Sequence, residues 1–450
     1  HTIWKEMGIE SIGELQYACH ENRLTRYKGF GEKTQQNVLE SIQFYLQHQG
    51  HFLYAQLETI FPQVDGYLKK LFGQEKVAVT GDYRRQALTI EELAFVIAAP
   101  AASIKPAFQT AQPPELLEEN KDSLLYQLKN GLKLRLWLAE DSLATTLFQT
   151  TGSSQFLEAF HQAFPGLQIP ADSQTDDTVY FTRTGIASIP ACLRESAEVI
   201  EWAAKNKLPQ LIQPEDIRGI IHSHSTWSDG SNTLEVMALA CIEQGFEYLV
   251  ISDHSQTAAY ANGLKEDRIR AQHQEIDQLN KKLAPFKIFK SIESDILNDG
   301  SLDYPEDVLK TFDLVIASVH SNLQMTEEKA MNRLIRAIEN PYTRILGHMT
   351  GRLLLSRNGY PVNYEKIIDA CAANKVVIEI NAHPRRLDMD WRWIQKAMDK
   401  GVLVSINPDA HFIEGYKDVK YGVLAAQKGG LTKDRNLSSF GLGEFEKWLG

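Results

Sequence analysis

The chain has 450 residues, of which 43% are hydrophobic and 23% are charged, and its formal net charge is −11. This composition excludes global disorder and predicts two to four folded domains, because single cores rarely exceed about 250 residues. The negative charge disfavours non-specific adhesion to nucleic acid over the whole surface, although it leaves room for local basic sites.

The cysteines and the apolar runs indicate a cytoplasmic protein. Cys19, Cys192, Cys241 and Cys371 show no CxxC or other zinc spacing, so we expect reduced thiols rather than a disulfide framework. No apolar run approaches the length of a membrane span, and no signal peptide opens the chain. Because the first residue is His rather than Met, we expect a cropped start.

The sequence of residues 1–48 predicts short helices, and the glycine-rich turn GFGEKT at 29–34 lies between two of them. Glycines let a backbone pass close to a phosphate, and N–H groups at the start of the next helix can bind it. This is the pattern of a helix-hairpin-helix segment, which contacts the DNA backbone independently of sequence. Its candidate DNA-binding residues are Gly29, Gly31 and Lys33. A plain turn between two helices fits equally well.

Two further regions precede the C-terminal half. The sequence of residues 49–150 predicts an α+β domain, whose strands lie in KVAVTGDYRRQ, EELAFVIAAP and LKLRLWLA. Residues 151–200 are expected to form a smaller α+β subdomain. The stretch 201–216 contains two prolines and leads into the next domain, so we interpret it as a linker.

Residues 217–450 repeat one arrangement seven times, an apolar strand-like run with polar side chains at its end, separated by amphipathic helices. This alternation predicts parallel βαβ units that close toward a distorted (β/α)7 barrel. Functional groups in such barrels lie where strands end and βα loops begin. The candidate metal ligands at these positions are His222, His224, Asp229, His254, Glu293, His320, His348, Asp409 and His411.

A single histidine at a strand end is more often an ordinary polar residue than a metal ligand. Here, however, six of the thirteen histidines occupy that one topological position, together with three carboxylates. Independent accidents do not readily produce this distribution. Nine ligands are too many for one ion, and imidazoles with carboxylates suit zinc, manganese or iron. The sequence therefore predicts a multinuclear metal hydrolase.

Motifs along the whole chain carry a family resemblance. They are GDYRR at 81–85, TGSS at 151–154, LPQLIQPEDIRG at 208–219, HSHSTWSDG at 222–230, DH at 253–254, ANGL at 261–264, GHMTGRLL at 347–354, RLD at 386–388 and PDAH at 408–411. Together they resemble the bacterial PolX-type family X DNA polymerases. The resemblance implies a polymerase core of palm and thumb, followed by a PHP (polymerase and histidinol phosphatase) domain at 217–450.

The polymerase half departs from the family pattern. Nucleotidyl transfer needs three carboxylates around two divalent ions, and the resemblance places them at Glu92, Ala94 and Arg135. Ala94 offers no ligand, and Arg135 puts a cation where a cation must bind. Asp82 also stands where the family has serine. We therefore predict no polymerase activity and a domain that still serves as a DNA platform. The candidate platform residues are Arg84, Arg85, Gly152 and Ser153.

The PHP half retains every ligand that the resemblance implies, divided among three divalent ions. The three sets are His222, His224, Glu293 and Asp409; Glu293, His320 and His348; and Asp229, His254 and His411. A hydroxide between two ions would attack the phosphorus of a phosphoester. The candidate phosphate contacts are Arg352, Arg385 and Arg386, for which surface salt bridges are an equal alternative. Asp253 is expected to orient a ligand or to bind backbone, and His383 to lie near the substrate or to pack against Pro384.

The resemblance implies a manganese-dependent 3′–5′ exonuclease that trims DNA ends during repair. Two alternatives remain open. Relatives similar to histidinol phosphatase cleave small phosphomonoesters at the same kind of site, and a third possibility is a non-catalytic DNA-binding scaffold. The hairpin and the platform favour DNA, whereas the acidic net charge weakly favours a small substrate.

Overall fold

The computed structural model describes residues 9, 11–20, 23–26, 29–108, 113–139, 142–169 and 176–450. Residues 1–8, which belong to the predicted N-terminal helical region, lie outside this part. Within it, no helix has both the length and the apolar character that crossing a bilayer requires. All four cysteines are buried and none is bonded to another.

Two helices are present in the described part of the N-terminal region. They are α1 (Ile12–His20) and α2 (Glu32–Gln47), with a 3-10 turn at Leu24–Arg26 between them. The buried side chains of Ala18, Cys19 and Leu24 join them in a small core. Gly29 has a φ of 98°, a conformation that glycine adopts without strain. The predicted turn is therefore present at Gly29 and Gly31, and α2 begins inside the GFGEKT motif, at Glu32.

The second region is a five-stranded sheet in the order β2-β4-β7-β6-β5, in which only the β4–β7 pair is parallel. Its strands are β2 (Val77–Thr80), β4 (Glu92–Ile97), β5 (Glu115–Glu119), β6 (Ser123–Gln127) and β7 (Lys133–Leu138), while β1 (Phe52–Leu53) and β3 (Thr89–Ile90) pair separately. The helices are α3 (Tyr54–Phe72), α4 (Gly81–Arg84) and α5 (Ala101–Ala107). The predicted strands are β2, β4 and β7. Two strands of this sheet were not predicted, namely the largely buried β6 and β5, an exposed acidic edge strand without an apolar face.

A helical region follows, formed by α6 (Leu143–Thr151), α7 (Ser154–Ala163), α8 (Val179–Thr184) and α9 (Glu198–Ala204). The expected α+β subdomain at 151–200 is wrong, because none of its described residues forms a strand. The aromatic side chains explain the difference. Tyr180 of α8 stacks on Phe148 of α6, with 3.9 Å between ring centroids, and Phe181 joins the same core.

The C-terminal domain contains the predicted seven parallel strands in chain order, β14-β13-β12-β11-β10-β9-β8. They are β8 (Gly219–Ser223), β9 (Tyr248–Ile251), β10 (Lys287–Asp295), β11 (Leu314–Ser318), β12 (Thr343–Leu346), β13 (Val377–Asn381) and β14 (Val404–Asn407). A parallel bridge between Ser223 and Ala410 links the first strand to the chain beyond the last. The barrel is thus nearly closed, as predicted.

Helices surround this barrel and one helix closes its lower end. They are α10 (Leu234–Glu243), α11 (Glu266–Leu283), α12 (Glu306–Leu309), α13 (Glu327–Ile338), α14 (Tyr364–Asn374), α15 (Ile394–Asp399), α16 (Val419–Lys428) and α17 (Leu442–Leu449). Phe445 of α17 stacks on Tyr248, with 4.5 Å between ring centroids, and packs against Phe289 of β10. Glu293 lies four residues beyond Phe289, so the period of two places both side chains on the inner face.

Polar contacts join the barrel to the preceding regions. Lys428 of α16 donates to Glu195 and to the backbone oxygen of Arg85. Tyr421 donates to Glu58 at 2.8 Å. The predicted linker packs closely against the barrel, because the backbone N–H of its buried Ile212 donates to Leu431.

Candidate metal centre

The nine predicted ligands lie at the carboxyl ends of the barrel strands or in the loops that follow them. His222 lies at the carboxyl end of β8, within a local irregularity in which the β8–β9 register shifts between Ile220 and Ser223. His222 has a φ of 65° and Asp409 a φ of 52°. Such left-handed conformations are costly for residues other than glycine and concentrate at functional sites.

Glu293 is the centre of the cluster, because five imidazoles surround its carboxylate. The nitrogen–oxygen distances are 2.9 Å to His348, 3.0 Å to His254, 3.1 Å to His320, 3.3 Å to His222 and 3.6 Å to His224. The His254 and His224 imidazoles face one carboxylate oxygen and the other three face the second. Glu293 therefore has the position that a carboxylate shared by two cations would need.

Asp409 and Asp229 extend the cluster to either side of His224. The Nε2 atom of His224 lies 3.0 Å from Asp409, and its Nδ1 atom lies 3.9 Å from Asp229. Asp229 is also 3.5 Å from His411 and 3.6 Å from His254. Although burial raises its pKa, the neighbouring imidazoles, led by His411, lower the pKa of Asp229 to about 2.

Three groups of ligand atoms are compact enough to hold a cation, with all their donor atoms within 4.8 Å of one another. They are His224, Asp229, His254 and His411; His222, His224 and Glu293; and His254, Glu293 and His320. The division into three sets that the resemblance implies is similar, but it assigns His224 to a single set and His254 to another. The structure places each of them between two groups.

Unsatisfied polar atoms show that the residues fit cations. Four ring nitrogens of the ligand cluster are buried and make no well-formed hydrogen bond among the described residues; they are His222 Nε2, His224 Nδ1, His254 Nδ1 and His348 Nδ1. The same holds for Glu293 Oε2. Burying such atoms unpaired is costly. Cations offset this cost, and imidazole–carboxylate donor sets suit zinc, manganese or iron.

The opposite charges within the cluster shift several pKa values. Burial raises the pKa of Glu293, but His320, His222 and His254 outweigh it and hold that pKa well below its usual range. Burial lowers the pKa of His320, yet the nearby carboxylates, led by Glu293, raise it to about 10. Burial and His254 lower the pKa of His224 to about 3. Protons on particular imidazoles thus balance the carboxylates, and cation binding would displace those protons.

Two buried carboxylates that the sequence analysis missed orient the histidines. Glu379 lies 2.6 Å from His222 Nδ1 and accepts from the backbone N–H of His348 at 3.1 Å. Asp295 contacts Nδ1 of His320. A signal existed for Asp295, because its spacing of two from Glu293 places both on one strand face. A signal existed for Glu379 too, because a carboxylate inside an otherwise apolar strand needs a buried partner, but the sequence did not show which residue that partner would be.

Glu379→Gln is expected to weaken Mn²⁺ binding by about 10- to 100-fold, the usual effect of losing a residue that orients a ligand. The Glu379 carboxylate accepts from four donors, which belong to His222, His348, Asn381 and Asn407. In glutamine an NH₂ group would replace one of the two accepting oxygens, so donors would face donors. Calorimetric titration with Mn²⁺ measures the change. The exposed Glu414→Gln serves as the matched control. Equal affinities in both variants would contradict the orienting role.

Asp253 binds backbone rather than a ligand. It is fully buried and accepts from the backbone N–H of Ser225 at 2.8 Å, from two serine hydroxyls and from Gln272. It thereby fixes the loop that carries Asp229. Of the two expectations for Asp253, the backbone contact is the one that the structure shows.

The three candidate arginines have different surroundings. Arg352 is 14% exposed and donates to Asp390 at 2.9 Å and to the backbone oxygens of Arg386 and Leu387, so it holds that loop in place. Its donors are therefore not available to substrate. Arg386 Nε lies 3.7 Å from Asp409, and Arg385 is exposed. Arg385 and Arg386 remain candidates for phosphate contacts.

Carboxylates already pair the arginines of the polymerase-like domain. Arg84 makes two hydrogen bonds to Asp177, of 2.7 and 3.0 Å. Arg85 contacts Asp82 and Glu195. The other expected platform residues have structural roles, since Ser153 caps α7 and a Cβ on Gly152 would approach the Phe156 ring to 2.6 Å.

The positions at which the resemblance expects the polymerase carboxylates are adjacent. Ala94 and Arg135 are direct partners in the parallel β4–β7 pair. Arg135 Nε donates to Glu92 at 2.7 Å. The one carboxylate left at these positions is therefore paired with a fixed cation.

No family model matches the chain. It is 32% identical to the DNA polymerase/3′-5′ exonuclease PolX of Bacillus subtilis (strain 168), over 466 aligned positions that cover 99% of this chain and 81% of that protein. The chain belongs to the PolX family. The C-terminal barrel of this PolX chain, nearly closed and built of seven parallel strands, fits the PHP domain that the motifs predicted.

Other relatives of this PolX chain are shorter. A protein of Thermoanaerobacter sp. (strain X514) described as a probable phosphatase is 26% identical over 239 residues, 51% of this chain and 92% of that protein. A crystal structure of histidinol phosphate phosphatase from Lactococcus lactis is 18% identical with a TM-score of 0.37, covering 48% of this chain and 95% of that one. That TM-score is too low to support an inference. The PolX relationship and the ligand cluster identify a metal-dependent hydrolase.

Proposed function

We propose that the chain hydrolyses phosphodiester bonds at the 3′ ends of DNA in a reaction that requires divalent cations, and that it trims ends during DNA repair. The observation that carries the proposal is the convergence of imidazoles and carboxylates around Glu293. The Bacillus subtilis relative, whose name includes a 3′-5′ exonuclease, supports the polarity of cleavage.

Three cations are proposed, held by the ligand sets that the resemblance implies. Their donor chemistry fits manganese, zinc or iron. When bound, such cations activate water near neutral pH and neutralise charge on phosphoryl oxygens. The partly exposed Asp229 and His411 mark the opening of the centre, whereas His222 and His224 are fully buried. Substrate would therefore enter beside Asp229 and His411.

The chain's own residues would bind and orient the substrate. Arg385 and Arg386 would hold the phosphates, because guanidinium groups form paired hydrogen bonds with phosphate oxygens. Glu379 and Asp295 would keep the His222 and His320 rings in the orientation that their contacts impose. The centre itself would exclude bulk water, since Glu293 is fully buried.

The polymerase-like domain at 49–150 would no longer transfer nucleotides, because Ala94 and Arg135 replace carboxylates. Its arginines are paired internally, which weakens the DNA platform expected through Arg84 and Arg85. The helix-hairpin-helix segment remains a candidate DNA contact, since Gly31 and Lys33 are exposed at the start of α2.

The test uses Asp409→Ala and His222→Ala, with Asp434→Ala as the matched control because that carboxylate is 75% exposed. The control is expected to release nucleotides from single-stranded and nicked DNA when Mn²⁺ is present. In both ligand variants this release should be nearly abolished. Unchanged release from those variants would overturn the metal mechanism. The Asp409→Ala variant also tests for polymerase activity, because a variant without exonuclease activity cannot degrade an extended primer. No primer extension is expected from this variant.

A phosphomonoesterase of the histidinol-phosphatase kind is the second candidate, because the Thermoanaerobacter relative is described as a probable phosphatase. Phosphate release from small esters without nucleotide release from DNA would favour it. A protein that binds DNA ends but cleaves neither substrate would instead be a scaffold.

A further inference from the structure

An exposed aromatic ring stands beside the metal centre. Tyr260 is 73% exposed, the highest value for any large hydrophobic side chain in the described part of the chain. Its ring centroid lies 6.3 Å from that of His254. Single exposed aromatic rings are common on protein surfaces, so it is the position of this ring next to a residue of the ligand cluster that suggests contact with a bound molecule.

The turn that carries Tyr260 is firmly held. It is the 3-10 turn Ala259–Ala261, and the flanking side chains of Ala258 and Ala261 are almost completely buried. The backbone N–H of Leu264 donates to His254 at 2.9 Å. A Cβ on Gly263 would lie 1.9 Å from the Ser255 oxygen, so only glycine permits this packing. A rigid backbone therefore presents the ring next to the centre.

A second exposed aromatic residue and two arginines adjoin ligands of the centre, either along the chain or in space. Phe412, which is 48% exposed, directly follows His411. Arg386 and the exposed Arg385 follow β13 and provide positive charge close to Asp409. Aromatic rings for bases combined with guanidinium groups for phosphates are the usual chemistry of single-stranded nucleic-acid binding. A small aliphatic phosphate ester would leave the rings without a partner.

The tyrosine hydroxyl adds no negative charge at this position. Partial burial of the hydroxyl and the neighbouring carboxylates, Asp295 first, raise the pKa of Tyr260 to about 12. The ring is therefore neutral under all ordinary conditions and does not repel a phosphate backbone.

We propose that Tyr260 stacks on the base of the nucleotide whose phosphodiester bond lies at the metal centre. A base in a duplex is already stacked and paired, so it must be unpaired to lie on this ring. The inference rests on the proposed exonuclease function and names a residue that recognises the substrate of that site.

The test compares two single-stranded oligonucleotides with the same backbone, one with bases and one abasic at the last 3′ positions. Tyr260→Ala is expected to lower kcat/KM with Mn²⁺ roughly tenfold on the first, in line with the effect of removing one stacking aromatic, and to leave the abasic substrate unchanged. Tyr260→Phe keeps the ring and should behave as the wild type. Because Tyr260 is exposed, all three proteins should unfold at the same temperature.

A binding readout separates this inference from the proposed function. An oligonucleotide with 2-aminopurine at its 3′ end and a cleavage-resistant methylphosphonate linkage should lose fluorescence on binding to the wild type and to Tyr260→Phe, but not to Tyr260→Ala. Equal effects of Tyr260→Ala on both substrates, or quenching that survives it, would overturn the stacking. The wild type could show quenching that depends on Tyr260 and yet release no nucleotides from either of the two cleavable oligonucleotides. That result would support base recognition and refute the exonuclease function.

Discussion

Glu293→Gln is expected to lower metal-dependent hydrolysis by at least about 1000-fold, because bound cations supply several kcal/mol of transition-state stabilisation and each 1.4 kcal/mol changes the rate tenfold. Glutamine has nearly the same size but lacks the charge. Four imidazoles lie within 3.3 Å of this carboxylate. One substitution therefore changes the group that both neighbouring cations would share.

Metal analysis and thermal unfolding give readouts that do not depend on activity. A ligand that binds only the folded protein raises its stability, so Mn²⁺ should raise the Tm of the wild type and EDTA should reverse the increase. Glu293→Gln should bind fewer cations and respond less to either. Glu339→Gln, on an exposed carboxylate, is the matched control. A Glu293→Gln protein with full metal content and full activity would refute the central role of Glu293.

Asp177→Ala is expected to lower the free energy of unfolding of the helical region by about 3–5 kcal/mol, the usual cost of removing one partner from a buried ion pair. Asp177 is fully buried and receives hydrogen bonds from Arg84 and Arg194. Arg194 is itself buried and lies over the Phe181 ring. Without the carboxylate, its charge would remain inside the core unpaired.

Hydrogen exchange measured in urea, on peptides from 142–204, reports this region separately from the barrel. Glu158→Ala is the control, because Glu158 is exposed on α7 in the same region. A loss no greater in Asp177→Ala than in Glu158→Ala would show that the buried network contributes little.

The same carboxylate predicts a dependence on pH. Burial raises the pKa of Asp177, but Arg84 and Arg194 outweigh it and hold the pKa well below its usual range. Its contribution is therefore complete above the unfolded pKa of about 3.9 and is lost as the pH falls from there through the lower folded pKa. Below pH 4 the wild type should lose stability in this region, and Asp177→Ala should lose less. Parallel losses in both proteins would contradict this assignment.

Local patterns in the sequence were sufficient for the barrel and for the list of candidate ligands. Each strand of the barrel is a continuous apolar run, because helices or the barrel interior cover both of its faces. Parallel strands bring their carboxyl ends to one side, so residues such as His254 and His348 could be assigned to the same site without coordinates. The relation to PolX followed from motifs that are contiguous in the chain.

Only the tertiary structure decided which groups neutralise one another. Glu379 lies 157 positions from His222, and Asp177 lies 93 positions from Arg84, so no local pattern links them. The same reason explains why Arg352 was expected at the substrate although it binds Asp390. It also explains the helical region, where packing of Tyr180 on Phe148 overrode the weak preference of a short segment. Composition and periodicity report burial, whereas charge pairing depends on distances that arise only after the chain has folded.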